Sequence, residues 1–242
     1  MGTSTGYGGP TTPQWQQAKT QVTHLAGNGL PPTPTQLQAV VAKHIQANGG
    51  AHTMAQGGGA VGGRAASVMA QGIGSLLSRV GSVGYGQALR EAGLDSPETK
   101  TPSEIVRFLV DYLSGSAAIM DDVDARNAAS NLLSELLENA DAEQTERILT
   151  DLAGGEALHR CLERYSALFL HAQFCRVHFE RLVKKVGEAQ ADSFLSAIRD
   201  YLISKVQNLA SKWDVAGIDW KSAQGSQLAE NIFEEVLVVF GG

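Results

Sequence analysis

The chain has 242 residues, 43% of them hydrophobic and 18% charged. That balance supports one large domain or a domain with an arm and excludes wholesale disorder. Two cysteines, Cys161 and Cys175, exclude a disulfide scaffold and fit a reducing cytosol. No run approaches the ~20 apolar residues of a membrane span, and the N-terminus lacks a secretory pattern. The net charge of −6 argues against generic nucleic-acid binding. That average conceals an asymmetry. Residues 1–90 carry five basic side chains and no acidic one, so all 25 carboxylates and the other 14 basic residues follow Arg90. Eighteen of the 27 glycines also precede Glu91, which predicts looser packing there than in the second part.

In chain order, residues 1–13 are small, polar and aperiodic and read as a flexible tail. The Gly/Pro-rich arm extends to about residue 34, although Trp15–Leu25 has the pattern of a short helix. Asn28–Pro34 breaks regular structure. Thr35 is the expected cap of a helix reaching Asn48, with Leu37, Val40, Val41, His44 and Ile45 on one face. Gly49–Gly63 reads as a loop. Arg64–Val80 is helical though weakened by Gly72 and Gly74, and Tyr85–Ala92 is a short helix. Residues 35–94 thus form a Gly/Ala-rich basic segment, and 95–242 an acidic helical body. In that body Thr101-Pro102-Ser103-Glu104 caps one helix. Asp121–Asn139 is a second, with Val123 among its apolar positions, and Ala142–Leu152 is a third. Glu156–Val186 is apolar around most of its circumference and reads as the central core helix. Ala189 to about Trp213, and Ser222 or Ser226 to Phe240, complete the set. Without period-2 alternation the class is all-α: an irregular bundle of about seven to nine helices with a Gly-rich N-terminal arm.

The motifs that mimic chemistry are weak. Gly57-x-Gly59-x-x-Gly62 matches a dinucleotide fingerprint but follows NGGAHTMAQ, which is not the strand that fingerprint needs. Asp121-Asp122-x-Asp124 starts like a calcium loop and lacks the later Gly and Glu. His171, Cys175 and His178 place three metal-ligand types within about 60° on one helix face. They lack a visible fourth ligand and border the apolar stripe Cys161, Leu168, Phe179 and Leu182, so a core role is expected and a metal-binding protein is the minor alternative. No nucleophile sits beside a base-like signal, so no catalytic residue is assigned. The chain reads as non-enzymatic and without a cofactor.

The N-terminus is the most distinctive feature. Gly2 is small, so loss of Met1 is expected to expose an unhindered glycine amine. Gly6 stands where myristoylation needs Ser or Thr. An α-amine has a pKa near 7.7–8.0, so a useful fraction is nucleophilic near neutral pH, unlike lysine. The terminal Gly241-Gly242 invites comparison with ubiquitin-like tails, but the β-grasp body is missing.

Met1-Gly2-Thr3-Ser4, then Tyr7-Gly8-Gly9-Pro10 and Pro13-x-Trp15, resemble the opening of the QatB-like components of the Qat anti-phage defence system. Gly62–Leu94, with GGRAASVMAQGIGSLLSRV and GYGQALREAGL, is similar to the family's second block. The resemblance implies a cytoplasmic protein acting beside a P-loop ATPase, a homologue of 7-cyano-7-deazaguanine synthase, and a TatD-like nuclease. It further implies that Gly2, Thr3, Ser4, Tyr7, Gly8, Gly9, Pro10 and Trp15 contact the synthase-like partner, with Gly2 the modified residue. A structural adaptor joining ATPase to nuclease is the alternative. Neither membrane nor direct nucleic-acid binding is expected.

Overall fold

The computed structural model describes residues 10–59, 63–114, 120–209, 213–215 and 217–241, without the side chains of 120–122. Eleven α-helices and one 3-10 turn occur among them, with no strand. The all-α class is as expected, and short helices that interrupt the Gly-rich regions raise the count.

Within the expected arm, α1 spans Pro13–Gly27. Thr12 caps it, its hydroxyl accepting the Trp15 N–H at 3.5 Å, and Pro13 sits where a missing N–H costs nothing. The same logic moves the start of α2, Pro34–Ala47, away from Thr35. Pro34 is the first helical residue, so Thr33 is the cap. It forms a capping box with Gln36, with bonds of 2.9 and 3.4 Å. The expected Gly49–Gly63 loop contains a short helix, α3, at Ala51–Ala55, where Met54 and Ala55 are buried.

Next come α4 (Arg64–Val83), α5 (Tyr85–Glu91), a 3-10 turn (Pro97–Thr99) and α6 (Pro102–Ser114). The Thr101–Glu104 box closes the start of α6 as its sequence predicts. Then follow α7 (Met120–Leu136), α8 (Ala142–Asp151), α9 (Gly155–Val186), α10 (Glu188–Val206) and α11 (Ala223–Val239). Ser222 caps α11, its hydroxyl accepting the Gly225 N–H at 3.2 Å. Helix α10 stops at Val206, short of Trp213.

The 32 residues of α9 reach about 48 Å. They pack against α1, α4, α7, α10 and α11, so α9 is the central helix. Leu168 and Leu182 are buried within it, but Phe179 is 38% exposed and leaves the expected apolar stripe. Val123 of α7 likewise faces solvent. One apolar cluster runs from Val22 to Phe240 through both the basic and the acidic segments.

Several glycines of the first segment are points of close approach rather than gaps. Gly74 on α4 faces the Trp220 indole so closely that a Cβ there would overlap the ring. Trp220 is itself 2% exposed and cannot swing outward without leaving a cavity. Gly74→Ala should therefore cost about 1–3 kcal/mol despite the gain in helix propensity. Chemical denaturation measures it, and a stabilised Gly74→Ala variant would refute the close-packing account.

Candidate functional site

The root of the N-terminal arm is built where α1 lies on α2 and α9. Trp15, Ala18, Val22, Leu25 and Ala26 form the buried stripe of α1. The exposed side of this helix is tied down by polar contacts. The Lys19 ammonium donates to the Pro10 carbonyl at 2.9 Å. On α9, the Arg181 guanidinium donates to the Thr23 and Thr20 hydroxyls at 3.2 and 3.3 Å. The Gln190 amide of α10 donates to the Ala26 carbonyl at 2.6 Å.

Beneath this root lies a pair of histidines. His44 Nδ1 of α2 is 3.2 Å from His178 Nε2 of α9, across 134 residues of sequence. Trp15 stands nearly perpendicular to His44, with ring centroids 5.1 Å apart. Phe174 closes the other side, its centroid 5.2 Å from that of His44 and 4.3 Å from that of His178. One nitrogen donates and the other accepts, an arrangement that two neutral imidazoles satisfy. Burial, reinforced by Arg176, pushes the His44 pKa down to about 3. Burial, then His44, Lys19 and Arg181, hold His178 well below its ordinary value. His44 Nε2 and His178 Nδ1 have no hydrogen-bond partner among the described residues. Both imidazoles are essentially fully buried, and their contact joins α2 to α9.

The three expected metal-ligand types are thereby separated. His171 Nε2 turns to the Leu195 carbonyl of α10 at 3.1 Å, and Cys175 Sγ lies 3.3 Å from that nitrogen. His178 turns the other way, to His44. Burial, with Asp124 and Asp192 nearby, pushes the Cys175 thiol up to about 12, so it is not a ready thiolate. Among the described residues no group of three or more His, Cys, Asp or Glu side chains could hold a metal ion.

Of the residues expected to touch a partner, Gly2, Thr3, Ser4, Tyr7, Gly8 and Gly9 lie outside the described residues. Pro10 is partly exposed at the foot of α1. Trp15 is 1% exposed, which places it inside the body rather than on a docking surface. Gly62, the third glycine of the fingerprint mimic, is outside the described residues as well. Gly59 has φ +83°, and a Cβ there would overlap the Asn48 carbonyl oxygen, so this loop is shaped by packing on the end of α2.

Beside the root, Lys19, Arg176, Arg181, Lys184 and Lys185 surround an open groove of 380 Å³ with one carboxylate, Glu180. The charge asymmetry of the sequence did not point to it, because four of its five cations come from α9. Arg181, Lys184 and Lys185 follow at i, i+3 and i+4, and that is the signal that could have found them. At the other end of α9, Glu163 is buried with His159 Nδ1 3.9 Å away, and burial together with Glu235 raises its pKa to about 7. A larger groove of 670 Å³ opens between α6 and α7, floored by Val106, Val110 and Leu137.

The family model described as Qat anti-phage system associated protein QatB matches residues 49–240. The matched stretch includes the Gly62–Leu94 block and begins after α1 and α2. No curated protein and no solved structure matches the chain. No helix among the described residues is long and apolar enough to cross a membrane.

Proposed function

Because the chain belongs to the QatB family and is thereby a component of the Qat anti-phage defence system, we propose that it acts there without catalysis of its own, as the carrier of an N-terminal arm. The arm docks in the system's 7-cyano-7-deazaguanine synthase-like protein. There the Gly2 amine, freed by loss of Met1, takes the place of ammonia. ATP activates a deazaguanine carboxylate as its adenylate, with release of pyrophosphate. The Gly2 nitrogen attacks the acyl carbon, an amide bond forms, AMP departs and the amine loses a proton. Gly2 has no Cβ to obstruct that approach, and Thr3, Ser4, Tyr7, Gly8, Gly9 and Pro10 line the partner's channel behind it.

The observation that carries this reading is the fixed root. Thr12 caps α1, Trp15 is sunk under it, and Lys19 holds the Pro10 carbonyl. Everything upstream is therefore presented from one defined point, next to a body with no catalytic constellation among its described residues. Mass spectrometry of the N-terminal peptide after co-expression with the synthase-like protein tests it. The expected result is an added deazaguanine acyl group on Gly2, absent in a Gly2→Val variant whose Tm is unchanged. An unmodified Gly2 together with full phage protection would refute it and leave the adaptor reading, in which the body joins the ATPase to the nuclease.

A further inference from the structure

The groove beside the arm root gathers like charge on a chain that is acidic as a whole. Lys19 of α1 and Arg181 of α9 are close enough that Arg181, after burial, lowers the Lys19 pKa. Both are held in place: Lys19 by the Pro10 carbonyl, Arg181 by two threonine hydroxyls. Arg176 is fixed by Asp124 at 2.7 Å. Lys184 is 77% exposed and only 3.9 Å from Glu180, and Lys185 is exposed with no ion pair among the described residues.

Lysines at the end of a helix are ordinarily explained by the helix dipole. That accounts for Lys184 and Lys185. It does not account for Arg181, a full turn earlier, or for Lys19 on a different helix. Lys19 and Arg181, positioned cations from two helices on a groove whose one carboxylate is Glu180, are stabilised by an anion arriving from outside.

We propose that this groove, formed by Lys19, Arg181, Lys184 and Lys185, is the body-side docking surface for an acidic face of the protein that receives the N-terminal arm. The proposal rests on the arm-docking reading above and adds to it the surface and its charge. Continuity selects this occupant. Lys19 contacts the groove and the Pro10 carbonyl at once, so a protein threading the arm must pass over these cations. Only eight peptide units separate Gly2 from Pro10, a reach of at most about 28 Å, and the partner's body is therefore confined to this side of the molecule. Acidic residues rimming the partner's channel would meet Lys184 and Lys185 first. These would steer the encounter, while Lys19 and Arg181 fix its register.

The test uses the full chain and the purified synthase-like protein, with Kd measured by titration calorimetry at about 50 and 200 mM salt. Wild type should bind with an affinity that falls as salt rises. K184E/K185E should bind about tenfold or more weakly at low salt, with a flatter salt dependence and a Tm lowered by no more than about 5 °C, the part owed to the helix dipole. The N-terminal peptide is analysed in parallel after co-expression. Equal Kd for wild type and K184E/K185E, with Gly2 modified in both, would overturn the groove proposal and leave the arm-docking reading intact. No binding by wild type, with Gly2 unmodified, would overturn both. A fluorescent single-stranded oligonucleotide of about 20 nucleotides serves as the competing anion. If it binds wild type but not K184E/K185E while Kd for the protein partner is the same for both, the groove is a polyanion site and the proposal fails.

Discussion

Trp15→Ala should lower the stability of the protein by about 3–5 kcal/mol, far more than a residue of a loose N-terminal arm could. The indole is 1% exposed and packs on Val177 and Ala47 as well as on His44. Its removal opens a cavity directly above the neutral histidine pair, and water entering there would favour the charged imidazole. For a chain of this size the loss corresponds to a drop of about 6–20 °C in Tm. Trp15→Phe, which keeps an aromatic edge against His44, should recover most of it. Calorimetry reads both, and a Tm within about 2 °C of wild type for Trp15→Ala would mean that α1 is not part of the cooperative unit.

Mild acid should destabilise the fold, and the sign follows from the histidines. An unfolded histidine titrates near 6.5, whereas His44 titrates at about 3 in the fold. Its contribution is complete above pH 6.5 and is lost as pH falls from there toward 3, because only the unfolded chain takes up the proton. Between pH 7 and 5 the loss is about 2 kcal/mol. His178, His159 and His171 are lowered as well, each chiefly by burial, and act in the same sense. Glu163 acts oppositely. With its pKa raised to about 7, it favours the fold increasingly as pH falls toward its unfolded value near 4.5, by about 2 kcal/mol over the same interval. Four histidines outweigh one carboxyl, so denaturation midpoints should fall from pH 7 to pH 5. H44L/H178L should flatten that dependence, and E163Q should steepen it. A midpoint that rises toward pH 5 in wild type would contradict the buried neutral pair.

The class, the central helix and the apolar face of α2 were all legible because each depends on local periodicity. Caps were legible where the pattern was complete, as at Thr101–Glu104. Thr35 was a less favourable reading than Thr33 because Pro34, which breaks a helix interior, is welcome at its first position. Helix α3 was hidden among glycines that punctuate it at both ends. The arm root was not legible. Trp15 is flanked by polar residues and meets its cover only when α2 and α9 arrive, and His44 and His178 are brought together by tertiary packing alone. The histidine on the apolar face of α2 was nevertheless a clue, since a buried imidazole requires a partner. His171, Cys175 and His178 share a sector of α9 in projection. That helix has neighbours on several sides, so α10 receives the first and α2 the last.

A fixed root turns length into concentration. With the Pro10 carbonyl held by Lys19, an amine eight residues upstream is confined to a sphere of about 28 Å radius, equivalent to a concentration on the order of 10 mM. On the proposed conjugation, a partner already seated beside α1 would meet the Gly2 amine at that concentration however few copies of the protein a cell contains. A free peptide of the same sequence would have to be supplied at millimolar levels to compete. Insertions between Gly2 and Pro10 would dilute the amine in proportion to roughly the three-halves power of arm length, with every docking contact unchanged. On the proposed conjugation, the burial of Trp15 sets a dose as well as a fold.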